Sequence, residues 1–258
     1  MKEGDTPSFF YFLENGLQDH NKPGFGGWGG RFTDAPNNLW TSDSVDSFSG
    51  GDGTPRTTVY RFRPAFNNDF AARADWAANG NYGTANHNPV AVLNGSAGRG
   101  IVYRTVKAGT RLTLSAAGSS DPDGNNLKYR WWQYREAGTY NGTVGISNGG
   151  AQAAELVAPS VSSNSTLHII LEVTDNGSPA LTAYRRMVIT VQPADGSGGA
   201  GSTAGSGDAS TAGGTGSTDG GAVSNLTWQS KTTGPNTKDE AIITACLLYT
   251  SPSPRDRS

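Results

Sequence analysis

The sequence predicts a mainly β chain organised around one small antiparallel sandwich. Three observations carry this expectation. Residues 121–134, DPDGNNLKYRWWQY, pass from a turn cluster into an alternating aromatic strand. Residues 169–191, IILEVTDNGSPALTAYRRMVITV, read as two alternating strands joined by a loop that holds Asn, Gly and Pro. About seven short strands fit into one stretch of the chain, the number such a sandwich requires.

Residues 1–85 form the first segment. Thr6 is placed to cap a short helix, with Pro7 at its first position, Phe9, Phe10, Phe12 and Leu13 inside it and Gly16 beyond its end. A Gly/Trp-rich loop, PGFGGWGGRF, and a polar stretch to Thr58 follow. Arg63 to Ala78 returns to helical character, with Phe66, Phe70 and Ala74 on one face and Asp69 and Arg73 spaced i,i+4. Two short helices and a long loop bury little apolar surface on their own. The segment is therefore expected to be only partly folded, as the tail of a truncated domain.

Residues 86–193 hold the sandwich. The expected strands are Ile101–Lys107, Arg111–Ala116, Leu127–Tyr134, Val144–Ser147, Ala154–Val157, Leu167–Thr174 and Arg185–Gln192. Leu127, Tyr129 and Trp131 share one face, as do Ile169, Leu171 and Val173. Residues 194–222 are a Gly/Ser/Thr linker, expected to be disordered because nothing in it can be buried. Residues 223–246 open a further, unidentified domain with NLTWQSK, and residues 247–258 read as an adapter-derived artefact. Met1 reads as an internal methionine of a longer chain.

Composition excludes several classes. Twenty basic residues against twenty-two acidic ones leave a net charge of −2, with no basic stripe for nucleic acid or an anionic membrane. No apolar run is long enough to span a bilayer, and no apolar signal core follows Met1. Cys246 is the single cysteine, so neither an intramolecular disulfide nor a cysteine zinc site can form.

Several residues are candidates for chemistry. Asp121, Asp123 and Asp175 sit in strand-end turns, DPDG and TDNG, where carboxylates from two loops can meet around calcium. The same residues are good turn formers, and the turn reading is favoured. Trp131 aligns with Leu127 and Tyr129 and belongs to the core. Trp132 and Tyr134 then face outward, either as a flat surface that stacks on pyranose rings or as an interface with the preceding segment. Trp28, among glycines, and Arg31 either line a substrate cleft or pack a loop. His20, His87 and His168 form no metal or catalytic spacing, and no role is assigned to them.

Residues 3–17 (EGDTPSFFYFLENGL), 26–32 (GGWGGRF), 66–76 (FNNDFAARADW), 85–90 (ANHNPV), 119–140 and 167–191 resemble one bacterial family. It is the cellulose-binding-protein family with a nucleoside-hydrolase-like N-terminal domain and an immunoglobulin-like C-terminal domain. The resemblance implies an immunoglobulin/PKD-like antiparallel sandwich preceded by the helical and loop tail of an α/β nucleoside-hydrolase-like domain, the chain being a C-terminal fragment. It implies a polysaccharide partner such as cellulose, contact with the missing N-terminal part, and an extracellular or periplasmic location. Asp5, just before a helix, is similar to a late calcium-ligating Asp of nucleoside hydrolases, although Gly4 stands where His is usual. Calcium is thus expected only in the intact parent. The function implied is polysaccharide binding without a complete active site. The alternatives are the tail of a calcium-dependent N-glycosidase and a structural spacer.

Overall fold

Alternating apolar residues set the strands, and their pairing sorts them into two layers. The computed structural model describes residues 9–37 and 39–194. A two-stranded ribbon comes first, β1 (Thr33–Ala35) with β2 (Leu39–Thr41), then helices Thr57–Tyr60 and Arg63–Asn79. The sandwich strands are β3 (Val102–Lys107), β4 (Arg111–Ser115), β5 (Lys128–Gln133), β6 (Ile146–Ser147), β7 (Ala153–Val157), β8 (Ser165–Thr174) and β9 (Thr182–Gln192). One sheet has the order β3-β9-β8-β5, the other β4-β7-β6. All pairs are antiparallel except β3 with β9, which run parallel. The chain crosses between the layers after Lys107, so β4 cannot pair with β3, and β3 takes the edge of β9 instead.

Between the sheets lie Leu114, Ala154 and Leu156 from one layer and Trp131, Leu167, Ile169, Leu171, Val173, Met187, Ile189 and Val191 from the other. Trp131 is in this core as its alternation requires, its indole N–H donating to the Ala151 carbonyl at 2.9 Å. The turn residues close one end. Asp175 Oδ1 accepts from the backbone N–H groups of Gly177 and Leu181, both at 2.9 Å, and Asp121 Oδ1 from those of Asp123 and Asn125.

β8 and β9 are buried almost continuously through their middles. In an antiparallel sheet one face normally meets water, so unbroken burial means that something covers the second face. The cover is the segment before the sandwich. Leu17, Trp28 and Phe62 are buried there against Tyr134, Ile170 and Tyr184, with Phe10, Leu13 and Phe66 around them. The expectation that this segment lacks a core is therefore corrected: its core is the outer face of the four-stranded sheet. Full burial of Leu17 and of Phe62 contributes about 1.5–3 kcal/mol each.

The long helix also departs from expectation. Phe70 and Ala74 face solvent, whereas Phe62, Ala65, Phe66, Asp69 and Ala72 turn towards the protein. Asp69 can be buried because Arg73 Nε donates to it at 2.7 Å and Asn88 Nδ2 at 3.1 Å. Phe9 and Phe10 are helical, while Thr6 and Pro7 lie outside the described residues, as do the expected linker beyond residue 194, the further domain and the final twelve residues. Among the described residues no helix is long and apolar enough to cross a membrane.

Candidate functional site

Strand alternation puts Arg130, Trp132 and, just past the strand end, Tyr134 on the outer side of β5, opposite the core. Tyr134 is completely buried. Its hydroxyl donates to Asp46 Oδ2, and its ring lies beneath the Arg61 guanidinium, 4.7 Å from ring centroid to Cζ. Burial, then the Asp46 charge, push the phenol far above its ordinary pKa. Tyr134 is thus part of the interface between segment and sheet, which corrects its assignment to a sugar-stacking surface. Asp46 also accepts from Arg31 Nε at 2.8 Å and Arg61 at 3.1 Å. Arg31 therefore belongs to an internal ion network rather than to an open cleft. Trp28 is likewise buried, its indole nitrogen 3.4 Å from the Tyr184 hydroxyl.

Trp132 is only half-buried and borders an open groove of about 460 Å3. Ser47, Arg61, Gln133, Arg135, Glu136 and Thr143 complete the polar part of its lining. The indole N–H donates to Glu172 Oε1 at 3.0 Å, and Glu172 pairs with Arg130 at 3.1 Å. The guanidinium groups of Arg61 and Arg130 lie over the ring at 5.0 and 5.5 Å from its centroid. Arg61 is fixed by Asp46 and Glu136, whereas the Arg130 side chain is largely exposed. Burial raises the Glu136 pKa, but backbone N–H donors, its own and that of Ser47, with Arg61 outweigh this and hold the carboxyl below its usual range. Arg135 is exposed and makes no ion pair among the described residues. The groove thus combines a positioned indole edge, an amide and a hydroxyl, with one unspent guanidinium.

Beneath the cover lies a second cluster that the sequence did not announce. Arg186 is fully buried, donating to Leu17 O at 2.7 Å, Gly26 O at 2.9 Å and His168 Nδ1 at 2.8 Å. Burial and the neighbouring Arg186 press the His168 pKa down to about 3, so the imidazole is neutral and carries its proton on Nε2. Burial lowers the Arg186 pKa to about 10, tempered by the surrounding tyrosines. The adjacent arginines in an otherwise apolar strand, TAYRRMVITV, were the available signal, since a charged residue at an alternating strand position implies a partner beneath it.

The three turn aspartates do not form a cation site. Among the described residues no group of three or more His, Cys, Asp or Glu side chains could hold a metal ion. Asp175 Oδ2 accepts from Asn86 Nδ2 at 3.1 Å, while Asp123 binds the His87 backbone and ring at 2.7 and 3.0 Å. Asn125 Nδ2 donates to Asn86 Oδ1 at 2.9 Å, so the Asn86 side chain joins the two loops. Asp121, Asp123 and Asp175 are thus engaged in turn and loop closure, the reading favoured above over calcium. Asp5 lies outside the described residues.

Comparison with known proteins follows the same division. Residues 111–191 match the family described as "Cellulose-binding protein Sde0182, C-terminal domain", and residues 1–32 match "Cellulose-binding Sde182, nucleoside hydrolase-like domain". Among solved structures, the chain is similar to a nucleoside hydrolase-related hypothetical protein from Saccharophagus degradans, described as associated with carbohydrate metabolism. The identity is 39%, the TM-score 0.66, and the match covers 74% of this chain and 48% of that one. The chain thus spans about half the length of that relative. A PKD domain from the KIAA 1837 protein matches at 20% identity and a TM-score of 0.30, over 39% of this chain and 88% of its own. No curated protein matches the sequence.

Proposed function

We propose that this chain, which matches the models of a cellulose-binding protein's C-terminal domain and of its nucleoside-hydrolase-like domain, binds a β-linked glucan at the groove beside Trp132. The observation that carries the reading is the groove itself. There an aromatic side chain of the sandwich stays accessible beside an amide, a hydroxyl and Arg135, which has no ion pair among the described residues. Pyranose rings offer apolar C–H faces and a rim of hydroxyls, and such a lining serves both. The outer face of the other sheet is less suited, its side chains including Arg111, Thr113, Glu155 and Val157 but no aromatic ring. Location at the cell exterior or in the periplasm, where polysaccharide is met, is part of the same proposal.

Retention of the full 258-residue chain on insoluble cellulose, and its titration with cellohexaose, test the reading. Trp132→Ala and Arg135→Gln are expected to weaken binding by roughly three- to tenfold each, the range of a single stacked or hydrogen-bonded contact. Unchanged binding in both variants rules the groove out.

The match of residues 1–32 to a nucleoside-hydrolase-like domain favours a second reading, in which that domain cleaves an N-glycosidic bond. Release of free base from inosine by a chain that includes the whole domain tests it.

A further inference from the structure

The tryptophans of the described chain are not equivalent. Trp28, Trp76, Trp131 and Trp132 each spend the indole N–H on an acceptor within the protein: Tyr184 Oη, Asn86 O, Ala151 O and Glu172 Oε1. Trp28 and Trp132 meet other aromatic rings, and Trp76 stacks on His87. Trp40 does none of this. It is 44% exposed, its N–H has no acceptor, and no ring or cation covers it among the described residues.

Its setting is constructed rather than accidental. Trp40 lies at the centre of β2 and pairs directly with Asp34 of β1, so the two side chains stand on one face of the ribbon. Asp34 is also exposed, and its carboxylate has no partner among the described residues. Gly24 lies below the ring: a Cβ there would sit 3.8 Å from Trp40 Cζ3, so the indole rests on bare backbone, close to the loop. The ribbon is tied down behind it, with Thr33 Oγ1 bonded to Ser44 Oγ at 2.7 Å and Thr41 Oγ1 to Asp43 at 2.8 Å. The result is a single flat apolar plate of about one sugar ring, edged by a free donor and a free acceptor.

We propose that Trp40 and Asp34 form a glycan-stacking platform, separate from the groove beside Trp132. The ring presents its face to the C–H side of a pyranose, and the Asp34 carboxylate accepts from that sugar's hydroxyls. The platform takes its ligand class from the glucan reading above but its site from geometry that owes nothing to Trp132. A protein partner fits it less well, since protein interfaces desolvate a wide patch around their aromatic anchors and exclude unpaired carboxylates from the centre.

The experiment is titration of the full chain with cellohexaose, followed by Trp fluorescence and calorimetry, with Trp40→Ala, Asp34→Asn and Trp132→Ala in parallel. Trp40 is exposed and unbonded, so Trp40→Ala is expected to leave Tm unchanged while weakening binding by about three- to tenfold. Asp34→Asn tests the acceptor without disturbing the plate and is expected to weaken binding about threefold or more. Loss in Trp40→Ala with wild-type binding in Trp132→Ala sustains the platform and removes the groove. The reverse result overturns the platform and leaves the groove. Failure of the wild-type chain to bind cellohexaose overturns both.

Discussion

At the residue scale, the charges beneath the cover govern the chemistry of this fold. His168 is held neutral, with its pKa pressed to about 3 from an ordinary value near 6.5, first because burial denies a charged imidazole its hydration and then because protonation would place a second cation against Arg186. A depressed base in the folded state means that the unfolded chain takes up the proton first as pH falls. The stabilisation is therefore complete above about pH 6.5 and is lost progressively towards pH 3, by at most about 1.4 kcal/mol per pH unit. Denaturant melts from pH 7 to pH 4 are expected to show this slope, and His168→Asn, which keeps an acceptor for Arg186, to flatten it. Asp46 poses the opposite problem. It is buried and serves Arg31, Arg61 and Tyr134 together, so Asp46→Ala leaves cations without a counter-charge and is expected to cost about 3–5 kcal/mol in urea unfolding.

At the scale of elements, the contact between segment and sheet depends on shape as much as on charge. Phe62 sits at the start of the long helix and meets Trp132, Tyr134 and Tyr184 ring to ring. Phe62→Ala is expected to destabilise by about 3–5 kcal/mol and to raise hydrogen exchange in the helix more than in β8. Gly16 adopts φ +85°, and a Cβ there would run into the Tyr184 carbonyl. The close approach lets Tyr184 N–H donate to Asn15 O at 3.1 Å. Gly16→Ala is expected to destabilise by about 1–3 kcal/mol through both the strained φ and the lost contact, read as a lowered Tm.

At the scale of the whole molecule, the sandwich is not self-sufficient on its outer face. Residues 86–194 alone would expose Ile170 and Tyr184 and strip Arg186 of its acceptors Leu17 O and Gly26 O. Such a fragment is expected to bind ANS and to melt well below the full chain, while the full chain does not bind the dye. This bears on where glycan contact can be sought. Tyr134 lies inside the joint, whereas Trp132 at its margin and Trp40 on the ribbon remain accessible among the described residues.

The strands were legible in the sequence because β alternation is local: Leu167, Ile169, Leu171 and Val173 mark their own face without reference to anything distant. The turn roles of Asp121 and Asp175 were legible for the same reason, since a carboxylate bonds backbone two residues on. The helix from Arg63 was legible in extent but not in orientation, because Asp69 occupies a buried position that hydrophobic pattern alone reads as solvent-facing. Only the tertiary structure decided that β3 runs parallel to β9, that Tyr134 and Trp28 are internal, and that Asp46 and Arg186 each gather partners far away in the chain. Periodicity reports which side of an element is apolar. What comes to lie against that side depends on contacts across some 170 residues, as between Leu17 and Arg186, and no local pattern encodes it.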